Sequence, residues 1–284
     1  MNSVSLLGVK GGPAISPGSN MPVSTLVQMA GQTVLVDAGL GVTRGICDQG
    51  VALTGIDLIL ITHLHSDHYL ELGPLFHTAW VAGLKRPIPV IGPKGLADYW
   101  QGFLQSMAFD INLRIQDEGR CALSPLPQIH EIAEGTVHDR GGLQICALRN
   151  DHPPIDDSFA LSFQTEAHKL VLSGDTTYFE PMIGFARDAD ILVHEVLLEQ
   201  GVDRLCAGLK VPDGRLKRHL MRSHTRAQDV GRIASQAGVK HLVLNHFVPG
   251  ADPALQDADW TAAVRETWDG PLTLGVDGLR LALD

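Results

Sequence analysis

The stretch Thr62-His63-Leu64-His65-Ser66-Asp67-His68 follows directly on an apolar run over residues 56–61, and no other part of the chain limits so sharply what it can become. Four of its last six residues are good metal ligands. If a strand stops at Thr62 and a helix begins near Ser66, the loop between them aims two imidazoles at one point. It aims a carboxylate and a third imidazole at another, so two adjacent sites are built. Imidazole with carboxylate suits zinc, and also manganese or iron, whereas the absence of thiolate argues against a closed structural zinc site. Open coordination positions favour catalysis. A lone histidine is usually a surface or satisfied core residue, and His77, His130, His138, His168, His219 and His241 are read that way. Three histidines and an aspartate within six positions call for a different explanation.

The surrounding sequence supplies a layered scaffold. Short β-rich runs at 33–37, 57–61, 89–91, 160–163, 170–173, 191–194 and 242–245 alternate with helical patterns and turn clusters. Alternation of this kind belongs to layered α/β structure. No repeat, low-complexity tract or Pro/Gly/Ser linker separates one part from another, so residues 1–284 are expected to form one domain. With 44% hydrophobic and 19% charged residues, 284 residues can bury a large core. The Gly-rich opening over residues 8–18 has neither a GK[ST] ending nor a strand-GxGxxG-helix context, and reads as a turn-rich loop rather than a phosphate loop.

At the histidine-rich stretch the sequence resembles the metallo-β-lactamase superfamily, whose signature is HxHxDH after a strand. The likeness extends through His152 in Asn150-Asp151-His152-Pro153, Asp175 in Ser173-Gly174-Asp175-Thr176 and His246 in Leu244-Asn245-His246-Phe247, in the expected chain order and close to predicted strands. It implies an α/β fold of the αβ/βα four-layer sandwich type with the site at the sheet edges. By the same resemblance His63, His65 and His152 would hold one metal, Asp67, His68 and His246 the other, and Asp175 would bridge. Two zinc ions are the expected cofactors, with manganese or iron as alternatives. Asp37, in Val34-Leu35-Val36-Asp37-Ala38-Gly39, matches a superfamily aspartate that orients a ligand. The function implied is a hydrolase whose bridging hydroxide cleaves a small ester-type substrate, be it a sulfate ester, phosphodiester, lactone or β-lactam.

Two further segments resemble the ribonuclease Z and arylsulfatase-like branch: His194-Glu195-Val196, and Ser223-His224-Thr225. There a glutamate supports a histidine facing the transferred group, so Glu195 and His224 join Asp67 as candidate catalytic residues. Thr225 and Gln228 read as a capping box, and Val230, Ile233, Ala234 and Ala237 mark one face of a helix that stops at Gly238. His224 would then sit just before a helix start, where an imidazole can donate a hydrogen bond to a developing oxyanion or protonate a leaving oxygen, the alternative being a helix-flanking surface histidine. Residues 201–221 and their flank carry Arg204, Lys210, Arg215, Lys217, Arg218 and Arg222, which suit either a cationic lid over a small anionic substrate or a solvated helix face.

Other calls follow from composition and pattern. Net charge is 22 minus 32, or −10, and no Gly/Lys-rich insertion lies between His152 and Glu195, so transfer RNA is expected to be an unlikely partner. Residues 97–109 place aromatic side chains at helical spacing, which points to core packing or a dimer face; the resemblance also implies a homodimer. Cys47, Cys121, Cys146 and Cys206 are read as free, mostly buried thiols. The start of the chain lacks signal-peptide features and no segment has the roughly 18 apolar residues of a membrane helix, so the expected location is cytoplasmic and no membrane partner is expected. Two competing readings are a redox member of the fold, weakened because His65 stands where diiron relatives tend to carry glutamate, and a non-catalytic binding or regulatory protein.

Overall fold

Alternating side chains on adjacent strands divide their burial between two separate cores, and this division sets the architecture. The computed structural model describes residues 2–208, 213–250, 252 and 254–283. Its strands in chain order are β1 (Ser3–Gly8), β2 (Ser24–Met29), β3 (Gln32–Val36), β4 (Leu58–Leu60), β5 (Ile88–Gly92), β6 (Pro127–Glu131), β7 (Gly135–Arg140), β8 (Leu143–Arg149), β9 (Phe159–Gln164), β10 (Lys169–Leu172), β11 (Ile191–Leu197), β12 (Leu242–Val248), β13 (Leu272–Leu274) and β14 (Leu279–Ala282). One sheet has the order β14-β1-β2-β3-β4-β5-β6, the other β13-β12-β11-β10-β9-β8-β7.

In β3, Val34 and Val36 enter a core shared with Leu161, Phe163 and Leu170 of the second sheet, while Leu35 between them packs against the outer helices. Leu58 and Leu60 face inward in β4 in the same way, and Ile59 and Ile61 face outward. The period of two thus glues sheet to sheet on one face and sheet to helix on the other. Helix Leu72–Val81 covers the first sheet with the buried Phe76 and Trp80, each stabilising that layer by about 1.5–3 kcal/mol through apolar burial. Helix Ala227–Ala237 buries Val230, Ile233, Ala234 and Ala237 as the stripe requires, and ends where Gly238 takes φ 65°. The result is the αβ/βα four-layer sandwich.

Topology then places the chemistry. β3 to β6 run parallel in one sheet and β10 to β13 in the other, so their C-terminal ends, where connecting loops begin, gather at one edge of the sandwich.

Several local expectations are corrected. Helix Ala227–Ala237 takes Arg226 as its N-cap with no side-chain cap bond, so the capping box does not form; Thr225 Oγ1 instead donates to Thr176 O at 2.6 Å, a tertiary bond that outcompetes the local one. The 97–109 segment divides between helices Leu96–Ser106 and Ala108–Glu118; Trp100 is buried and Tyr99, Phe103, Leu104 and Met107 pack on the outer core, but Phe109 is 84% exposed. The cysteines are free, but Cys47 and Cys121 are exposed and Cys146 and Cys206 only half-buried. Residues 201–221 contribute to helices Glu199–Gly208 and Arg215–Ser223, whose cations are largely paired, Arg204 with Asp252 and Arg215 with Asp213 at 2.7 and 2.5 Å, and Lys217 with Asp203; Lys210 lies outside the described residues. No described helix is long and apolar enough to cross a membrane.

Candidate metal centre

Asp37 organises the loop after β4. It closes β3 at φ 61°, a left-handed conformation uncommon outside glycine, and its N–H donates to Leu60 O at 2.8 Å. Its carboxylate accepts from Thr62 N at 2.8 Å, from Thr62 Oγ1 at 2.9 Å and from His68 Nδ1 at 2.8 Å. Because the Thr62 hydroxyl proton is committed to Asp37, its oxygen accepts from His63 Nδ1 at 3.1 Å. His152 Nδ1 likewise donates to Ser223 O at 2.8 Å. These outer partners engage Nδ1 of His63, His68 and His152 and turn each Nε2 toward a common centre.

At that centre His65 Nδ1 stands 3.0 Å from both His63 Nε2 and His152 Nε2. One imidazole proton satisfies at most one of those contacts, so at least one pair of nitrogens meets with no proton between them, and a cation there would relieve the repulsion. Asp175 Oδ2 lies 3.8 Å from His63 Nε2, 3.3 Å from His68 Nε2, 4.0 Å from His152 Nε2 and 3.0 Å from His246 Nε2. Asp67 Oδ2 is 3.7 Å from His68 Nε2 and 3.4 Å from His246 Nε2. Ligand atoms of His63, His65, His152 and Asp175 fall within 4.8 Å of one another, and so do those of Asp67, His68 and His246.

Backbone irregularities aim these groups. Across the parallel β11–β12 pair, Glu195 stands opposite Asn245 and Val196 opposite Phe247, which leaves His246 as an extra residue at φ 44°. Such a bulge re-aims one side chain without ending the strand. Gly174 precedes Asp175 at φ 58°, and a Cβ there would sit 2.5 Å from Phe159 O. Gly174→Ala should therefore destabilise the metal-free protein by at least about 1 kcal/mol, from the left-handed penalty alone, as read by urea unfolding.

Burial pushes the His63 imidazole well below its ordinary pKa and His152 down to about 3, so both are neutral, ligand-ready bases at neutral pH. For His246 burial works in the same direction, but the Asp175 carboxylate outweighs it and lifts the ring to about 10. Burial disfavours charge on Asp175 too, yet His246 and His68 hold its carboxyl well below the usual range. The Asp175 carboxylate thus favours protons on His68 and His246, and divalent ions would compete for the same nitrogens. His68 Nε2 is buried and, although 3.3 Å from Asp175 Oδ2, makes no well-formed hydrogen bond. The nitrogen and oxygen donors, the engaged Nδ1 atoms and this poorly satisfied nitrogen all fit divalent metal.

Beside the cluster, His224 Nδ1 lies 3.0 and 3.2 Å from the two Glu195 oxygens, and Glu195 Oε1 accepts from Thr176 N at 2.8 Å. The His224 ring stacks on His246 at 5.4 Å between centroids. His224 extends after helix Arg215–Ser223, two residues before the N-cap of the next helix. A cleft of about 780 Å3 opens over Asp67, Asp175, His224 and His246. Its lining includes two groups the sequence reading passed over. His219, taken as a structural histidine, faces the cleft with its ring 6.0 Å from that of His65; Lys10 belongs to the Gly-rich opening read only as a loop. Helical spacing from Ser223 was the available signal for His219, whereas nothing local marked Lys10. Three of the other histidines so classed find ordinary partners: His77 bonds Asp110, His138 bonds Gln32 and His241 bonds Thr273, each at 2.8 Å.

The family model described as anti-Pycsar protein Apyc1 matches residues 3–246. Ribonuclease Z of Mycobacterium bovis is 33% identical over 280 residues, spanning 98% of this chain and 96% of its own, and ribonuclease Z of Mycobacterium marinum is 34% identical over 98% and 97%. This chain belongs to the ribonuclease Z branch of the metallo-β-lactamase superfamily, within the Apyc1 family. It is a metallo-β-lactamase-fold hydrolase. Among solved structures, the metallo-β-lactamase fold protein YhfI from Bacillus subtilis superposes with a TM-score of 0.73 at 21% identity, covering 99% of this chain and 98% of its own. Human tRNase Z, short form, gives 0.70 at 20%, with coverage of 99% and 99%. These two likenesses concern the fold.

The relatives correct the expectation that transfer RNA is an unlikely partner, since ribonuclease Z proteins match the chain from end to end. The error lay in using net charge as a filter: −10 averages the whole surface, whereas an RNA phosphate meets only the local field of the site that receives it.

Proposed function

We propose that the protein is a metal-dependent phosphodiesterase, with His63, His65 and His152 holding one divalent ion, Asp67, His68 and His246 a second, and Asp175 shared between them. Zinc is the ion that the all-imidazole and carboxylate donor set suits best. Such a pair of ions, when bound, supplies a nucleophilic water at neutral pH and stabilises charge on the attacked group. Of the ester types that this fold hosts, the phosphodiester is favoured by the ribonuclease Z relatives, whose name is that of an RNA-cleaving enzyme.

The observation that carries the reading is the Glu195–His224 pair at the cluster's rim. Glu195 accepts a hydrogen bond from Nδ1 of His224 and would stabilise the ring in its protonated form, whose Nε2–H can then be delivered to a departing oxygen. Burial raises the Glu195 carboxyl pKa while the His224 ring opposes that rise. Asp67 has a positioning role in addition, because Gly12 N donates to its Oδ2 at 2.7 Å and ties the Gly-rich loop to the metal cluster. Residues 1–284 act as one domain in this reading. Four free cysteines accord with a reducing compartment such as the cytoplasm.

The test is metal content per chain, followed on the same sample by turnover of bis(p-nitrophenyl) phosphate with and without zinc or manganese. About two ions per chain and metal-restored turnover are expected; a fully loaded protein inert toward phosphodiesters but active on an aryl sulfate, lactone or β-lactam would reassign the substrate. Chelation should lower the thermal midpoint and metal return should restore it, because an ion bound only by the folded chain stabilises it by mass action. Acid should release the metal, since protons compete for the same imidazoles.

A further inference from the structure

We propose that Lys10 is the substrate-anion receptor of this site, its ammonium pairing with a non-bridging oxygen of the phosphodiester at the metal cluster. The inference rests on the phosphodiesterase reading above. Lys10 is only 5% exposed and follows β1, where the chain turns toward the cleft. Its Nζ donates to Gly11 O at 3.0 Å and Gly12 O at 2.9 Å, both within its own loop. An ammonium has three protons, so one donor remains. Asp67 acts on it through space, but among the described residues no carboxylate accepts a hydrogen bond from its Nζ. Burying an ammonium is costly, and two neutral carbonyls with one carboxylate at longer range compensate only in part.

The surroundings say what the missing partner is. Lys10 and Arg204 are the lysine and arginine residues among the described lining of the cleft, and Arg204 is spent on Asp252 at 2.7 Å. Of the described lysine and arginine residues in the lining, Lys10 is thus the one left for an incoming anion. Its stem is fixed in place: a Cβ on Gly250 would come within 2.5 Å of Lys10 Cγ, so the absence of a side chain at Gly250 makes the room Lys10 occupies. The loop that follows is anchored to the cluster by the Gly12–Asp67 bond, which couples the position of the cation to that of the metal ligands. A cation whose stem is packed and whose loop is tied to the cluster needs little reorganisation to meet a phosphoryl oxygen.

The competing account is that Lys10 merely ties the loop through its two carbonyl bonds. Lys10→Met removes charge and bonds together, whereas Lys10→Gln removes the charge and keeps an N–H donor for the loop. Inorganic phosphate is titrated calorimetrically into metal-loaded wild type and both variants, with metal content and thermal midpoint measured on the same samples. The expected result is phosphate binding about tenfold or more weaker in both variants, at wild-type metal content, with KM for bis(p-nitrophenyl) phosphate raised more than kcat is lowered. Unchanged phosphate affinity in Lys10→Gln overturns the proposal. Loss of metal or of thermal stability in both variants, in step with affinity, also overturns it and leaves the loop tie. Lys10-dependent phosphate binding in a wild type that hydrolyses no phosphodiester would retain the anion site and reject the phosphodiesterase reading.

Discussion

Asp175→Ala is expected to strip the centre of metal and to lower phosphodiester turnover by roughly 10⁴-fold, the rate equivalent of about 5.5 kcal/mol of lost transition-state stabilisation. The expectation follows from how many partners one oxygen serves: Asp175 Oδ2 lies within 4.0 Å of four histidine nitrogens drawn from both ligand groups. Removing any single histidine leaves the other group's donors intact, whereas removing Asp175 takes a donor and a compensating charge from both. His65→Ala should also abolish turnover, but through the His63, His65 and His152 group, so it should retain more metal than Asp175→Ala does. Metal content by atomic spectroscopy, read with kcat on the same preparation, checks the order. Full metal loading in Asp175→Ala would show that the carboxylate is not shared between ions, and a loaded variant with intact turnover would sink the two-ion assignment.

The gathering of these groups was legible because the ligands cluster in sequence and fall at strand ends. Residues 33–37, 57–61 and 242–245 were read as strands, and β3, β4 and β12 are found there with shifted ends. Strongly apolar runs buried on both faces announce themselves in this way. The edge strands do not: β7 is exposed or half-buried along its length and reads Gly135-Thr136-Val137-His138-Asp139-Arg140, so its pairing with β8 comes from backbone bonds rather than from an apolar pattern. The bulge that turns His246 inward was equally silent, because Asn245-His246-Phe247 has the composition of a plain strand. Tertiary bonds displaced local rules elsewhere, as when Thr225 bonded Thr176 instead of capping its helix. Lys10 shows the deepest limit. A lysine in a glycine-rich loop looks solvated in sequence, and only the packing of residues from both ends of the chain, Gly250 among them, reveals it as buried.

His224→Ala should cut turnover while metal stays bound, and the size of the cut should depend on the leaving group. A general acid contributes typically 10²–10⁴-fold, and it matters most when the departing oxygen is a poor leaving group that must be protonated. For an alkyl phosphodiester the expected loss in kcat is therefore about 10²–10³-fold. For bis(p-nitrophenyl) phosphate, whose nitrophenolate departs without a proton, it should be tenfold or less, again by order of magnitude. Glu195→Gln should show the same pattern more weakly, since an amide can still accept the Nδ1 proton of His224 but no longer stabilises the protonated ring. The leaving-group comparison separates proton delivery from two other roles open to the same residue. His224 also lies close enough to Asp175 and His246 to share a metal, and in that case His224→Ala would lose metal and depress both substrates alike. A helix-flanking structural role would lower the thermal midpoint and leave the ratio of the two rates at its wild-type value. Only proton donation makes the ratio itself change, because only then does the histidine act on the bond to the leaving oxygen rather than on the centre that attacks it.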